Sequence, residues 1–169
     1  MAIYGCYTGK DMKSYFCDLT LADPKGGATL PIYRLALGGP RQQTGTWQDN
    51  HVSTWWGSFT VILYGQVEFG VTGGDRRSIV GKTGDIFVFV DTQGDGHSTH
   101  NPDFGEFQTA NMRFQDSVDD LWGVFRKNFN GWPDNLMPPA TYAPGGPPQG
   151  NHAGELDPKF DMKRFDRSI

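Results

Sequence analysis

Two cysteines and four histidines are all this 169-residue chain has for thiol and imidazole chemistry. Cys6 and Cys17 lack the close pairing of a metal knuckle, so they are expected to be reduced thiols of a cytoplasmic protein. No run approaches the roughly 18 apolar residues of a membrane-spanning helix, so no membrane segment is expected. Met1-Ala2-Ile3-Tyr4-Gly5 has no basic stretch leading into an apolar one, so no secretory leader is expected either. Charged residues make up 20% of the chain and the formal net charge is −4, with no basic stripe, which argues against a nucleic-acid partner. Glycine (23), proline (11) and aromatics (14%) are plentiful. That mixture favours short strands and tight turns over long helices, and the length fits one domain with a real core.

Strand periodicity is clearest over 14–21, where Tyr15, Cys17, Leu19 and Leu21 alternate with Phe16, Asp18 and Thr20. A turn-rich patch, 22–28, leads to a further strand at 31–37, and 38–50 is expected to be loop or short edge strand. The middle of the chain predicts strands at 58–64, 66–71, 76–80 and 85–90, with Gly73-Gly74 as a two-residue hairpin turn and Lys82-Thr83-Gly84 as another. The Gly- and Asp-rich stretch 91–96 reads as a loop, and 105–113 as a last strand. These strands predict an antiparallel two-sheet barrel over 14–113.

One helix is predicted at about 117–129, where Val118, Leu121, Trp122, Phe125 and Phe129 form an apolar stripe suited to packing. From Gly131 onward, repeated prolines exclude regular structure. The organisation expected is one barrel domain with its helix over 1–130. A Pro/Gly-rich tail, 131–169, should wrap the barrel in its first half and be mobile in its last.

At Gly45 a known pattern begins. Gly45 leads to His51, Ser53 follows two positions on, then Ser58 and Gly65. A second series runs from Gly84 to His97 and Asn101. In this spacing the chain resembles the cupin superfamily, whose first motif places H-x-H, a glutamate and a glycine at the first set of positions. Serines stand at the second-histidine and glutamate positions. The second series has two extra loop residues and lacks the family's proline. Tyr7-Thr8-Gly9, Ser14-Tyr15-Phe16 and Gly94-Asp95-Gly96-His97 are similar to runs in a group of small bacterial cupins of unassigned function. The resemblance spans roughly 4–113. It implies an all-β, cupin-type double-stranded β-helix (a jelly-roll barrel) with one C-terminal helix, and a site inside the barrel around His97.

Strand alternation gives that site a lining. Ser58, Thr60, Ile62 and Tyr64 share one side of a strand; His97, Thr99 and Asn101 share another; His51 and Ser53 a third. Histidine, serine, threonine, tyrosine and asparagine among apolar side chains suit a small molecule. Trp47, Trp55 and Trp56 stand near the expected mouth, where they would stack on a ligand, cover the core or make an oligomer contact. His100 is one residue out of phase with His97 and should point away, and His152 lies in the tail.

The leading expectation is a metal-independent enzyme of lyase, isomerase or cyclase type. Its catalytic groups would be His97, His51 and Tyr64. Its substrate-binding groups would be Ser53, Trp55, Ser58, Thr60, Thr99 and Asn101. No cofactor is expected. The alternative is a metal-dependent oxygenase with His51 and His97 among the ligands of iron, manganese, nickel or zinc; Glu68, Asp91, Asp95 or Glu106 would then compensate for the missing ligands, although charged strand and loop residues are normally solvated. A third reading is a binding module without chemistry. The partners expected are a small-molecule substrate and a second copy of the chain. That homodimer would form through the edge of a strand such as 14–21.

Overall fold

Among the described residues, eleven strands and one short helix arise where the β-branched and aromatic residues alternate. The computed structural model describes residues 1–30, 32–37, 48–53, 57–114 and 121–139. The strands are β1 (Ile3–Thr8), β2 (Ser14–Leu21), β3 (Ile32–Leu37), β4 (Gln48–His51), β5 (Ser58–Tyr64), β6 (Gln66–Gly70), β7 (Ser78–Lys82), β8 (Ile86–Phe89), β9 (His97–His100) and β10 (Gln108–Phe114). The helix α1 (Leu121–Asn128) and β11 (Phe129–Asn130) follow. Among the described residues no helix is long and apolar enough to cross a membrane.

The strands form two sheets, ordered β11-β2-β1-β8-β5-β10-β3 and β4-β9-β6-β7. Within them β8-β5-β10-β3 faces β4-β9-β6-β7, which is the strand order of a jelly roll, two interleaved Greek keys. The fold is therefore all-β with one short helix, as the alternation predicts. One departure is the pairing of β1 with β8, which is parallel, Ile3 opposite Ile86 and Cys6 opposite Phe89. The larger sheet is consequently mixed and not purely antiparallel. This pairing lets β1 and β2 extend the jelly roll beyond β8, with β11 meeting the far edge of β2 at Thr20 and Leu21.

Alternation along the strands divides the apolar residues between two cores. Ile62, Val67, Phe69, Ile79, Phe87 and Phe89 fill the space between the sheets together with Cys6. On the outer face, Ile3, Tyr7, Leu19, Val88 and Val90 pack under Phe125, Phe129 and Leu136. Each such side chain, fully buried, contributes about 1.5–3 kcal/mol. The register of 14–21 matches its pattern: Tyr15, Cys17 and Leu21 pack on the outer core and Phe16 on the inner one. Among the described residues, the stretch after Gly131 has no strand of its own. It crosses β1 through a bridge between Gly9 and Leu136 and a bond from Met137 N to Thr8 O, 2.8 Å.

Two local expectations are corrected. Gly73-Gly74 is not a two-residue hairpin turn: β6 and β7 are joined by a wider connection closed by Val71 N to Arg77 O at 2.8 Å. Of the two, Gly74 has positive φ (71°), while Gly73 is small because the Tyr15 ring lies where its Cβ would be, 2.4 Å away. Residues 48–51 form β4 at the edge of the smaller sheet, in keeping with the short-edge-strand reading of 38–50, and pairing with β9 supplies the backbone partners. The helix is described from Leu121, and Phe129 leaves it to pair with β2; the predicted start at 117 lies outside the described residues, as does the tail from 140.

Candidate functional site

His97 opens β9 directly after the loop 91–96, and that loop is tied down along its length. Thr8 Oγ1 donates to Gln93 O at 2.7 Å, Thr72 Oγ1 donates to Asp95 at 2.8 Å, and Ser14 Oγ donates to Gly96 O. Ser53 N donates to Asp91 O at 3.0 Å, and Val90 N to Cys6 O at 2.7 Å. Gly96 has φ of 69°, and a Cβ there would stand 2.2 Å from the carbonyl of His51. Only glycine lets the loop pass so close to β4. His51 and His97 are thereby register partners across β4 and β9.

The resulting cluster is buried. His97 Nδ1 lies 2.8 Å from Asp91 Oδ2, with the two side chains 6% and 0% exposed. An ionised carboxylate only accepts, so Nδ1 carries the proton and Nε2 is the nitrogen left for chemistry. Phe89 stacks on the imidazole at 4.1 Å and 23°, and the His51 ring lies 4.4 Å from it, tilted by 53°. Phe69 meets it edge-on at 6.4 Å. The apolar wall and the carboxylate fix the ring's orientation, which is what a proton-transferring histidine needs. Cys6 comes in from β1: its sulfur, a carboxylate oxygen of Asp91 and a ring nitrogen of His97 lie within 4.8 Å of one another, all buried. Burial, and then the Asp91 charge, push the Cys6 thiol well above its ordinary range. Asp91 Oδ1 and Ser53 Oγ are buried without a hydrogen-bond partner among the described residues.

The sequence-predicted residues divide. Register places Thr99 opposite Phe69 and Ser58 opposite Phe89, both on the inner face, and Ser53 is buried beside Asp91. Thr60 is buried on the same inner face and donates to Asn111 at 2.8 Å. Asn101 is buried but serves its own loop: its Nδ2 donates to Gly105 O and its Oδ1 accepts from Phe104 N, both at 2.9 Å. Tyr64 does not join His97. The pairing of β5 with β10 shifts between Gln108 and Thr109, and Tyr64 is 37% exposed, with its hydroxyl 3.3 Å from Glu106. Its placement as an inward partner is corrected by that irregularity. His100 is turned to the other face of β9, with Nδ1 3.2 Å from Glu68. A hydrogen bond from Ser78, and then His100, hold Glu68 below the usual carboxylate range. Trp47, Trp55, Trp56 and His152 lie outside the described residues.

Cys6 has no place in the site expected from the sequence, and Asp91 enters it only as a compensating ligand that would ordinarily be solvated; in the structure Asp91 is fully buried. The signal for it was its position at the end of the apolar run 85–90, where a loop aspartate can turn inward. Cys6 had no local signal, because only the parallel pairing of β1 with β8 brings it there. Both thiols are expected to resist a thiol reagent near neutral pH, since Cys6 is fully buried and burial pushes Cys17 up to about 12. Titration of the native protein should find far fewer than the two thiols that appear on unfolding; prompt reaction of Cys6 would contradict its burial.

No family model matches the chain, and no curated protein matches it. Two solved structures are similar in part. One is the plu4264 protein from Photorhabdus luminescens, 12% identical, covering 66% of this chain and 83% of that one, with a TM-score of 0.35. The other is a putative ethanolamine utilization protein Q from Salmonella typhimurium, 12% identical, covering 68% and 95%, with a TM-score of 0.30. Likeness at this level assigns no chemistry, and the jelly roll rests on the strand order itself.

Proposed function

We propose that this protein is a small cupin-type enzyme that moves a proton on a small, partly apolar molecule held between its sheets. The reaction class is lyase, isomerase or cyclase. His97 acts through Nε2, and Asp91 holds the ring in the tautomer that leaves Nε2 free. The observation that carries the reading is the buried 2.8 Å contact between His97 Nδ1 and Asp91 Oδ2, walled by Phe89. His51, Ser58 and Thr99 are the polar groups nearest in register, and the inner-core aromatics suit an apolar portion of the substrate. Free thiols at Cys6 and Cys17 suit a reducing compartment such as the cytoplasm.

The test is a screen of small molecules by thermal shift, followed by nitrogen-detected NMR of the imidazoles. A true ligand should perturb His97 Nε2 and be altered by the protein over time. Binding without alteration would reduce the protein to a binding module. A ligand indifferent to His97→Gln would place the site elsewhere.

Association as a homodimer is part of the same proposal. The sequence favoured the edge of 14–21, but β11 meets part of that edge. At the opposite end of the sheet, β3 leaves Ile32, Leu35 and Leu37 between 45% and 60% exposed, the kind of apolar edge that a second copy would cover. Light scattering is expected to give twice the 18.8 kDa chain mass, falling to monomer when Leu35 and Leu37 are both changed to lysine. A wild-type monomer at micromolar concentration would refute it.

A further inference from the structure

We propose that Cys6, Asp91 and His97 form a binding site for a thiophilic divalent cation, Zn²⁺ or its reporter Co²⁺, that competes with protons for the same three groups. The ligand set is a thiol, a carboxylate and an imidazole, with donor atoms within 4.8 Å of one another. Donor atoms around tetrahedral zinc stand about 3.3–3.6 Å apart, from metal–ligand distances of about 2.0–2.3 Å. Small side-chain adjustments therefore suffice.

A further observation points to a cation. Asp91 Oδ1 is fully buried and has no hydrogen-bond partner among the described residues, so a lone pair is held away from water and unused. Such an atom carries a desolvation penalty that a ligand would relieve. With the carboxylate and a thiolate as ligands, a divalent ion makes a neutral cluster.

Protons and charge balance in this exchange. The Cys6 thiol loses its proton to solvent as the sulfur–metal bond forms. His97 gives up the Nδ1 proton that bonds Asp91, and a proton is taken up at Nε2 as the tautomer changes. No redox step is involved. The ion consequently takes the nitrogen tautomer that the proposed proton transfer needs, and the two states of the cluster exclude one another. The site does not rest on the catalytic reading, because a protein without any turnover would bind the ion equally well.

The experiment is titration of the purified, metal-stripped chain with Co²⁺ and then displacement by Zn²⁺. The expected result is a thiolate-to-cobalt charge-transfer band in the near ultraviolet that saturates at one ion per chain and is lost on adding Zn²⁺. Affinity should rise about tenfold per pH unit while the thiol is protonated, because one proton leaves for each ion bound. Cys17→Ser should keep the band and Cys6→Ser should lose it, with circular dichroism confirming that both are folded. Should Cys6→Ser fail to fold, Asp91→Asn provides the second arm, with Co²⁺ affinity falling at least tenfold. No band with the wild-type chain, or a band that survives Cys6→Ser, or one lost in Cys17→Ser, would overturn the proposal. None of these results bears on ligand binding at His97 Nε2, so the catalytic reading stands or falls separately.

Discussion

Replacing His97 with glutamine is expected to abolish turnover by about a hundredfold or more, the size of effect that follows removal of a general acid or base. Glutamine is the informative change because its amide can still donate to Asp91, whereas it cannot accept and return a proton. Alanine would confound the result. It leaves a fully buried carboxylate without its donor, and an unsatisfied buried hydrogen-bonding group costs about 1–3 kcal/mol or more. His100→Ala is the control. Its Nδ1 contacts Glu68 on the far face of β9, so turnover should be unchanged. Once a substrate is in hand, steady-state rates for the two variants and the wild type decide the matter. Loss in His100→Ala with full activity in His97→Gln would reverse the faces of β9 and remove the site.

The largest effect on stability is expected at Phe87. It is fully buried at the centre of the inner core, with ring centroids of Phe69 at 4.4 Å, Tyr4 at 5.0 Å and Phe89 at 5.9 Å. Phe87→Ala removes that packing and leaves a cavity the neighbours cannot fill, a loss of about 3–5 kcal/mol. For a chain of this size that lowers the melting temperature by roughly 6–20 °C. Phe104, 37% exposed in a loop, should change stability by less than about 0.5 kcal/mol when cut to alanine. Thermal melts of the two variants separate these outcomes, and a Phe87→Ala protein as stable as Phe104→Ala would mean that the inner core is packed differently. The same cavity would open behind Phe89, whose ring supports His97, so the variant should also bind ligand less tightly.

Much of this architecture could be read from local pattern. Two-residue alternation put Tyr15, Cys17 and Leu19 on one face and Phe16 on the other, and the spacing from Gly84 to His97 placed one histidine on the inner face. The failures have a common cause. Whether Asp91 is buried, whether Gly73 must be small and where Tyr64 points are decided by contacts with distant strands. Tyr15 occupies the space beside Gly73, and a register irregularity with β10 leaves Tyr64 at the surface. Cys6 is the plainest case. Its own neighbours identify a strand residue, and nothing near it in sequence says which strand will lie alongside.

That parallel pairing also governs how the molecule must fold. The bond from Ala2 N to Asp85 joins groups 83 residues apart, and the ladder from Ile3 to Cys6 against 86–89 closes a loop of similar length. Closing it costs chain entropy before any contact repays it, which places the chain among the slow, non-local β folders, with relaxation in the millisecond-to-second range. Local hairpins such as β6–β7 can form early. The carboxylate, imidazole and thiol come together only when β1 docks on β8, so the site is completed in a late, cooperative step.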